Sequence, residues 1–559
     1  MFFRYSTLAV RLARRRFLPL GLVALGALPF ASLAQPSPTV VVSPLTPGNL
    51  VPALRAALNA PLPAIVARAT GSVGANVPQN ELDINAYGLL GSFQPAGATL
   101  TATNAFFLPL GTNGRTCATC HQPASAMSIS GSAIVARYAL TKGADPLFAP
   151  VDGANCPNQV PASNTAPSPI GGNKGRGANM LAAHSLILSR GVFRIFLPVP
   201  ANAEYTLSVV SDPTTCNTDP TYARSIDPGT GAVTQIVSVF RRPRMSSNLA
   251  FVTNTLATAG LFPPLDPLTG APLAIDPSTG LFESGNIMWD GREPTLQSQA
   301  IDATMGHAQA LTPPTNDQVA QMVAFENGIY SAQLTDYRAG SLTAAGATGG
   351  PVYLSQQPPA IPVAFTGGPF MTNFTAWSSI TGAGLQASTR ESVYRGQQIF
   401  NNTTFTITNV AGINDNPNLG PTLVASCGLC HNQQNAGNDS FPAAQHDIGV
   451  GGHGKAFGAP APATDLPIFK LVCNASARPG YNGTTVYTND PGLALISGKC
   501  ADIGRTTVPM LRGLAARAPY FHDGSAPTLQ SVVTFYNQRF NMGLTAQQQT
   551  DLVNFLATL

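Results

Sequence analysis

Two short stretches of the sequence combine residue types and spacing that suit one particular chemistry. Each has the pattern Cys-x-x-Cys-His, once as CATCH at 117–121 and once as CGLCH at 427–431. This pattern is the attachment signature of a c-type haem. Two thiols one helical turn apart can bond to the vinyl groups on one edge of the porphyrin, and the adjacent histidine supplies the proximal iron ligand. The residues predicted to hold two covalently bound c-type haems are Cys117, Cys120, His121, Cys427, Cys430 and His431.

Other readings of a Cys-x-x-Cys pair are a dithiol redox pair and one half of a zinc site. Zinc would require a second pair of Cys or His residues nearby, and no such pair follows either motif closely in the sequence. The repetition of the complete motif within one chain favours haem attachment over both alternatives.

The composition indicates an exported protein with a well-packed core. Of the 559 residues, 44% are hydrophobic and 10% are charged. This length allows roughly two to four domains. The formal net charge of +4 is too small and too dispersed to indicate a nucleic-acid partner.

The N-terminus has the features of a targeting segment. A basic region that ends at Arg14–Arg16 precedes the apolar run Phe17–Leu33, and Ala34 closes a plausible cleavage site. We predict a signal peptide at 1–34, export to the periplasm by the general secretory route, and no stable membrane insertion after cleavage. The arginines also resemble a twin-arginine signal, and an uncleaved anchor is the other alternative.

Four of the eight cysteines lie outside the two motifs. An even number of remaining cysteines in an oxidising compartment predicts two disulfides. Of the three possible connectivities, proximity in the sequence favours Cys156–Cys216 together with Cys473–Cys500.

The order of the segments predicts a mainly α fold with two cytochrome c-type haem domains. An N-terminal extension spans 35–100, the first haem domain spans 101–385, and the C-terminal cytochrome c domain spans 386–559. A large insertion at about 140–285 in the first domain is rich in turn signals and contains loops and strands.

Local patterns predict individual elements within these domains. Thr116–Ser128 should form a helix and then a loop around the first haem. Val192–Phe196 and Thr234–Arg241 read as strands. Glu391–Phe400 is a short amphipathic helix, and a capping box at Thr545 begins a closing helix with leucine and phenylalanine on one face.

Several further stretches stand beside the two motifs. In order along the chain they are CATCH at 117–121, Met288–Arg292 followed by Leu296, Gln299 and Ala300, CGLCH at 427–431, His446–Gly449, and Pro509–Arg512 with Ala518–Gly524. In kind and in order these stretches resemble the bacterial di-haem cytochrome c peroxidase and MauG superfamily. The insertion between His121 and Trp289 is much longer than in simple peroxidases, and the rubber oxygenases are enlarged relatives in the same superfamily.

The resemblance implies a division of labour between two haems. The N-terminal haem would meet hydrogen peroxide or O2 through an open distal side. The C-terminal haem would have two axial ligands and would pass on electrons from a small donor protein, either a cytochrome c or a cupredoxin. Trp289 occupies the position of an electron-relay tryptophan. The resemblance also implies that a Ca2+ ion can lie between the domains. Asn248 and the backbone near Arg517 and Pro519 are its candidate ligands.

The resemblance further directs attention to the residues opposite the proximal histidine of the first haem. Peroxidases place a glutamate where this chain has Gln309, and an amide cannot accept a proton. His307, two residues earlier, can exchange protons near neutral pH, and we predict it as the acid–base group. His184 resembles the displaceable histidine of resting peroxidases, but a structural role is favoured.

The distal ligand of the second haem varies within the superfamily. Tyr536 occupies the position that is Met in peroxidases and Tyr in MauG, whereas His522 corresponds to the C-terminal histidine of rubber oxygenases. Met510 and Met542 are weaker candidates. Tyr536 is slightly favoured.

We therefore predict a periplasmic di-haem oxidoreductase of the peroxidase type. A haem oxygenase acting on an organic substrate is the first alternative, and a broad apolar pocket beside the first haem would favour it. A pure electron-transfer cytochrome is the second, and it requires both irons to be fully six-coordinate.

Overall fold

The structure is a computed structural model that describes residues 76–160, 180–257, 260, 263–265, 272–276, 280–359, 369–452, 460–478 and 480–559. The predicted signal peptide, the start of the extension and parts of the turn-rich insertion lie outside the described residues. So does His453, for which the sequence favours a structural role. Elements are numbered here among the described residues only.

Helices occur throughout the described chain and are mostly short. They are α1 (Gly131–Thr141), α2 (Ser185–Arg190), α3 (Ala250–Thr253), α4 (Leu296–Gly306), α5 (Asn316–Gly328), α6 (Gly350–Ser355), α7 (Leu385–Asn402), α8 (Ala494–Ser497), α9 (Leu529–Arg539) and α10 (Ala546–Ala557).

Strands alternate with these helices and form small sheets. They are β1 (Asn76–Val77), β2 (Asn80–Ile84), β3 (Gly88–Phe93), β4 (Thr99–Leu100), β5 (Phe193–Pro198), β6 (Tyr205–Ser211), β7 (Arg224–Ile226), β8 (Val233–Arg241), β9 (Tyr330–Asp336), β10 (Gly340–Ser341), β11 (Phe405–Thr408), β12 (Thr422–Ala425), β13 (Gln445–His446), β14 (Ile468–Cys473), β15 (Thr485–Thr488) and β16 (Thr506–Thr507).

The prediction of a mainly α fold is wrong, because helix accounts for 30% and strand for 19% of the structure. Many strands are only two to six residues long, too short for a period-two pattern to stand out from loop sequence. The region 76–100, read as extension and loop, forms four strands. The helix predicted in Thr116–Ser128 is instead two 3-10 turns, at Cys117–Thr119 and Pro123–Ser125.

The insertion contains the two predicted strands, and they pair with each other. β5 and β8 run antiparallel, with Phe193 opposite Arg241 and Pro198 opposite Ile236. A second strand pair links distant parts of the chain, because β6 of the insertion is hydrogen-bonded along its length to β14 in the C-terminal part. The described residues belong to one compact unit, and the division into haem domains stays a prediction.

The predicted closing helix is present as α10, and the structure packs it against α7. Thr545 caps α10 through the backbone N–H of Gln548, and the apolar face of α10 is buried. The two helices approach closely at Gly396, where an added Cβ would lie 2.1 Å from the carbonyl oxygen of Asp551. Only glycine fits there, so this close approach fixes how the closing helix meets α7.

Both predicted disulfide pairs are present in the structure. Cys156 and Cys216 have Cα atoms 5.4 Å apart, and those of Cys473 and Cys500 are 6.0 Å apart. In the described part of the chain, no helix combines the length and the apolar character that a bilayer crossing requires.

Candidate haem sites

The first Cys-x-x-Cys-His motif folds as a tight turn that sets the orientation of its histidine. The N–H of His121 donates to the carbonyl oxygen of Cys117 at 3.0 Å. The chain then reverses through Ala126 and Met127, both with positive φ. This reversal brings the carbonyl oxygen of Met127 to 2.9 Å from Nδ1 of His121. Because Nδ1–H is held by that carbonyl, Nε2 is the ring nitrogen left for a metal.

The second motif repeats this geometry 310 positions later. The N–H of His431 donates to the carbonyl oxygen of Cys427 at 3.1 Å. Nδ1 of His431 lies 2.5 Å from the carbonyl oxygen of Gly437. In both motifs the accepting carbonyl belongs to the sixth residue after the histidine. Two separate segments therefore hold their histidines in the orientation that a proximal haem ligand requires.

The four motif thiols are not paired as disulfides. Burial raises the pKa of Cys120 to about 11 and that of Cys427 to about 12. Burial also raises the pKa values of Cys117 and Cys430 well above the usual value. A catalytic dithiol needs a lowered thiol pKa, so these environments suit covalent attachment better than thiol redox chemistry.

A large cavity adjoins the first motif. Its atom-free space is about 1630 Å³, including the part that is open to solvent. Cys117, Cys120 and His121 all line it, together with the apolar residues Leu249 and Ile287. An apolar cavity with a few convergent polar groups is the usual form of a cofactor site.

Buried cations around the two motifs fit an anionic cofactor. Arg512 is fully buried, and none of its three guanidinium nitrogens has a hydrogen-bond partner among the described residues. It follows Leu511, whose N–H donates to Ala436 in the loop after the second motif. Arg244 and Arg517 line the first cavity, and burial lowers the pKa of each to about 10. Buried arginines without anionic partners are costly, and the propionate groups of haem are suitable anions.

His307 lies at the end of α4 and lines the same cavity as His121. Its Nδ1 is 2.5 Å from Oδ2 of Asp152. Asp152 is buried and is also bound by the guanidinium of Arg115. Although burial alone would raise the pKa of Asp152, Arg115 and the hydrogen bond from His307 hold this pKa below its usual value. Asp152 therefore stays ionised and can orient the imidazole.

Gln309 is placed differently from His307. Its side chain is exposed, and its amide oxygen accepts a hydrogen bond from Asn113 at 3.3 Å. The carbonyl oxygen of His307 accepts from the same Asn113 side chain at 2.8 Å. The structure thus places Gln309 beside the loop that supports His307.

Trp289 also lines the first cavity. Its indole N–H donates to the carbonyl oxygen of Arg242 at 2.7 Å, and the guanidinium of Arg244 lies 5.3 Å from the ring centroid. On the C-terminal side, the ring of His522 is 6.0 Å from that of Trp289. Trp289 is therefore fixed where the first cavity meets the C-terminal part of the chain. Its neighbour Asp290 is buried and ion-paired.

The two main candidates for the distal ligand of the second haem lie in different environments. Tyr536 packs in an apolar cluster with Cys427 and Cys430, and burial raises the pKa of its hydroxyl. Nε2 of His522 is instead 3.7 Å from Asp490. Tyr536 thus lies in the cluster that contains the second motif thiols, whereas Nε2 of His522 faces Asp490.

The weaker methionine candidates are divided between the two sites. Met542 packs against the same cluster as Tyr536. Met510 lines the first cavity.

His184 has a structural environment. It is fully buried, with Nδ1 at 2.8 Å from the carbonyl oxygen of Met180 and Nε2 at 3.1 Å from that of Phe148. Both ring nitrogens are thus engaged by backbone carbonyls, as expected of a core histidine.

The candidate calcium ligand Asn248 is engaged by Ser331. Its side chain accepts from the N–H of Ser331 at 2.8 Å and donates to the carbonyl oxygen of Ser331 at 2.9 Å. Within the described ranges, no group of three or more His, Cys, Asp or Glu side chains is placed to hold a metal ion. The calcium ion stays a prediction.

Sequence reasoning missed Asp152, Arg115 and Glu326, which also lines the first cavity. Asp152 is 155 positions from His307, and no local motif marks it. Glu326 lies at the end of α5 and is indistinguishable in sequence from a solvated helix residue. The carbonyl acceptor six residues after each motif histidine was also missed, because a backbone carbonyl is not marked by residue type.

Comparisons with known proteins place the chain near one class of enzyme. No family model matches it. It is 32% identical over 142 residues to cytochrome-c peroxidase IdrP2 of Pseudomonas sp. (strain SCT), a match that covers 24% of this chain and 36% of that protein. It is 39% identical over 91 residues to cytochrome-c peroxidase IdrP2 of Denitromonas iodatirespirans, covering 15% and 24% respectively. The matched part is thus about a third or less of the length of these curated relatives.

A solved structure of a MauG-like protein associated with microbial copper homeostasis is 16% identical and covers 60% of this chain and 76% of its own, with a TM-score of 0.26. A superposition of that quality does not establish a shared fold. The curated relatives are named cytochrome-c peroxidases, and the chain is similar to them over segments of 91 to 142 residues. These relatives support the relationship with the di-haem cytochrome c peroxidase and MauG superfamily that the motifs indicate.

Proposed function

We propose that the chain is a periplasmic di-haem oxidoreductase that reduces hydrogen peroxide at the first motif with electrons received through the second. The main support for this proposal is the hydrogen-bonded pair His307–Asp152. Both residues line the same cavity as His121. When bound, haem supplies the iron at which peroxide is reduced and through which electrons pass. The periplasmic location is inferred from the N-terminal sequence and the two disulfides.

The role proposed for His307 is to move a proton. Because Nδ1 of His307 faces the carboxylate of Asp152 at 2.5 Å, Nδ1 keeps its hydrogen and Nε2 is free to accept a proton from peroxide and return it to the leaving oxygen. Asp152 stabilises the positive charge that the ring acquires, as an orienting carboxylate does for other catalytic histidines. Arg115 holds Asp152 in place without blocking Oδ2.

The electron path is proposed to run through Trp289, and the second iron is proposed to be saturated. Trp289 lies between the first cavity and His522. Tyr536 is the proposed distal ligand opposite His431, since it packs with the second motif thiols. A small donor protein, a cytochrome c or a cupredoxin, would deliver the electrons.

The test combines cofactor content with turnover. The intact mass of the mature protein should show two added haems, and Cys117→Ser should weaken attachment at the first motif only. Half-reduced holoprotein should then consume hydrogen peroxide with a change in the haem absorption spectrum. A protein with one haem or none, or with two haems and no reaction with peroxide, contradicts the proposal.

A further inference from the structure

An apolar strand face lies next to the acid–base pair of the first cavity. The backbone N–H of Arg194 donates to the carbonyl oxygen of Asp152 at 2.9 Å, which holds strand β5 beside this aspartate. Phe193 and Ile195 occupy alternate positions of β5, so they share one face of the strand, and both line the cavity. Ile195 is only half-buried. β5 of the insertion thus forms an apolar wall of the cavity at Asp152.

The loop before the first motif forms a second apolar wall, at His307. Leu108 and Leu110 line the cavity, and both are half-buried. The next residue, Gly111, packs directly on the backbone that follows His307, since an added Cβ would lie 1.8 Å from the carbonyl oxygen of Ala308. The side chain of His307 is itself 42% exposed. The acid–base pair therefore lies in a part of the cavity that solvent can reach and that carries apolar side chains.

The cation nearest this pair is occupied within the protein. Arg115 forms an ion pair with Asp152, and its guanidinium is 3% exposed. Its other nitrogens donate to the carbonyl oxygens of Pro146 and Leu147 at 2.7 and 2.8 Å. Arg115 therefore supports the aspartate and is not placed to bind an anionic substrate. Beside His307 the cavity suits an uncharged substrate with an apolar group.

We propose that this site takes organic hydroperoxides that carry a bulky apolar group, in addition to hydrogen peroxide. The inference rests on the proposed function, because it uses the same acid–base pair and the same source of electrons. Hydrogen peroxide is little larger than water and makes no use of apolar walls. An alkyl or aryl group would leave water for contact with Ile195 and Leu110, which is favourable. An oxygenase would also use apolar walls, but it would not need a proton-transfer pair beside them.

The reaction is the two-electron reduction of a hydroperoxide to an alcohol and water. Nε2 of His307 takes the proton from the terminal oxygen and gives it to the oxygen that carries the organic group as the O–O bond breaks. That oxygen leaves as the alcohol. The terminal oxygen receives two electrons that originate from the donor protein and two protons from solvent, and it leaves as water. The apolar walls orient the organic group so that the hydroperoxide O–H faces His307.

The experiment compares cumene hydroperoxide with hydrogen peroxide as substrates of the half-reduced holoprotein. The parent should form cumyl alcohol with a kcat/KM that is above, or within about 10-fold of, its kcat/KM for hydrogen peroxide. Ile195→Ala and, separately, Leu110→Ala should lower the ratio of the two kcat/KM values by about 10-fold, because each shortens a side chain that contacts the organic group. Calorimetry provides a readout without turnover, since both variants should weaken the binding of cumyl alcohol by a similar factor.

Ile226→Ala is the matched control. Ile226 lies in β7 of the same three-stranded sheet as β5, it is 54% exposed, and it does not line the cavity. This variant should keep the parent ratio and the parent affinity for cumyl alcohol.

The outcomes separate this inference from the proposed function. A parent that reduces hydrogen peroxide but has a kcat/KM for cumene hydroperoxide more than about 10-fold lower overturns the inference alone. The same conclusion follows if both wall variants keep the parent ratio, or if cumene hydroperoxide is consumed without an equal amount of cumyl alcohol. A parent that contains two haems and reacts with neither peroxide overturns the proposed function as well.

Discussion

Replacing His307 by alanine separates proton transfer from cofactor attachment. The side chain of His307 is 42% exposed, whereas that of Asp152 is 1% exposed. Removing the imidazole leaves Asp152 paired with Arg115, so no buried charge loses its only partner. We therefore expect the free energy of unfolding to change by about 1 kcal/mol or less. Loss of a general acid–base group costs about 100- to 10,000-fold in rate, which corresponds to about 2.7–5.4 kcal/mol in the activation barrier.

The assay is stopped-flow peroxide turnover by half-reduced protein, with haem content measured by intact mass. Gln309→Ala is the comparison variant, since its exposed side chain lies two residues away and contacts Asn113. His307→Ala should lose activity with two haems retained, and Gln309→Ala should stay within a few-fold of the parent. Parent-level turnover by His307→Ala refutes the acid–base role. The oxygenase hypothesis requires no base for peroxide, and it would then be favoured over the peroxidase hypothesis.

Three further predictions concern the second haem, the relay and the ion-pair network. Tyr536→Phe should change the low-spin resonance signal of the second haem and His522→Ala should not; the reverse result would assign the ligand to histidine. Trp289→Phe should leave peroxide binding unchanged and slow electron arrival at the first haem, measured by single-turnover kinetics; an unchanged electron-transfer rate would remove the relay role. Arg241 is ion-paired with two buried aspartates and holds their pKa values down against the opposing effect of burial. These carboxylates stabilise the fold above their unfolded pKa, and the stabilisation is lost as pH falls through the folded values. Arg241→Met should thus cost about 3–5 kcal/mol and move acid unfolding, followed by circular dichroism, to higher pH; an unchanged midpoint would contradict this.

The sequence identifies the features that depend on neighbouring residues. The spacing of the motif at 117–121, the capping box at Thr545 and the strand patterns in β5 and β8 are all local, and the structure contains the helix cap and both strands. The pairing of the two strands is visible only in the structure. The disulfide pairing followed from sequence proximity, which holds when the loops between the cysteines are short enough to close at low entropic cost.

The features that sequence reasoning missed depend on tertiary contacts. Asp152 is held beside His307 by its ion pair with Arg115, whose guanidinium is itself anchored to the carbonyl oxygen of Pro146. The mainly α prediction failed for a related reason, since strands such as β3 are stabilised by the distant β9 more than by their own residue preferences. Tyr536 was selected over His522 by family position, and only packing with Cys430 gives a physical reason to prefer it.

The sheet shared by β6 and β14 has a consequence for how the chain folds. Lys470 is paired with Ser208, 262 positions away, so this pairing cannot form until the chain has been synthesised beyond β14. Contacts of such large sequence separation slow folding because loop-closure entropy is lost before the contacts form. The first motif therefore leaves the ribosome long before this sheet can close. A chain that ends before β14 should stay open around the insertion, prone to proteolysis, with its first motif still accessible to the attachment machinery.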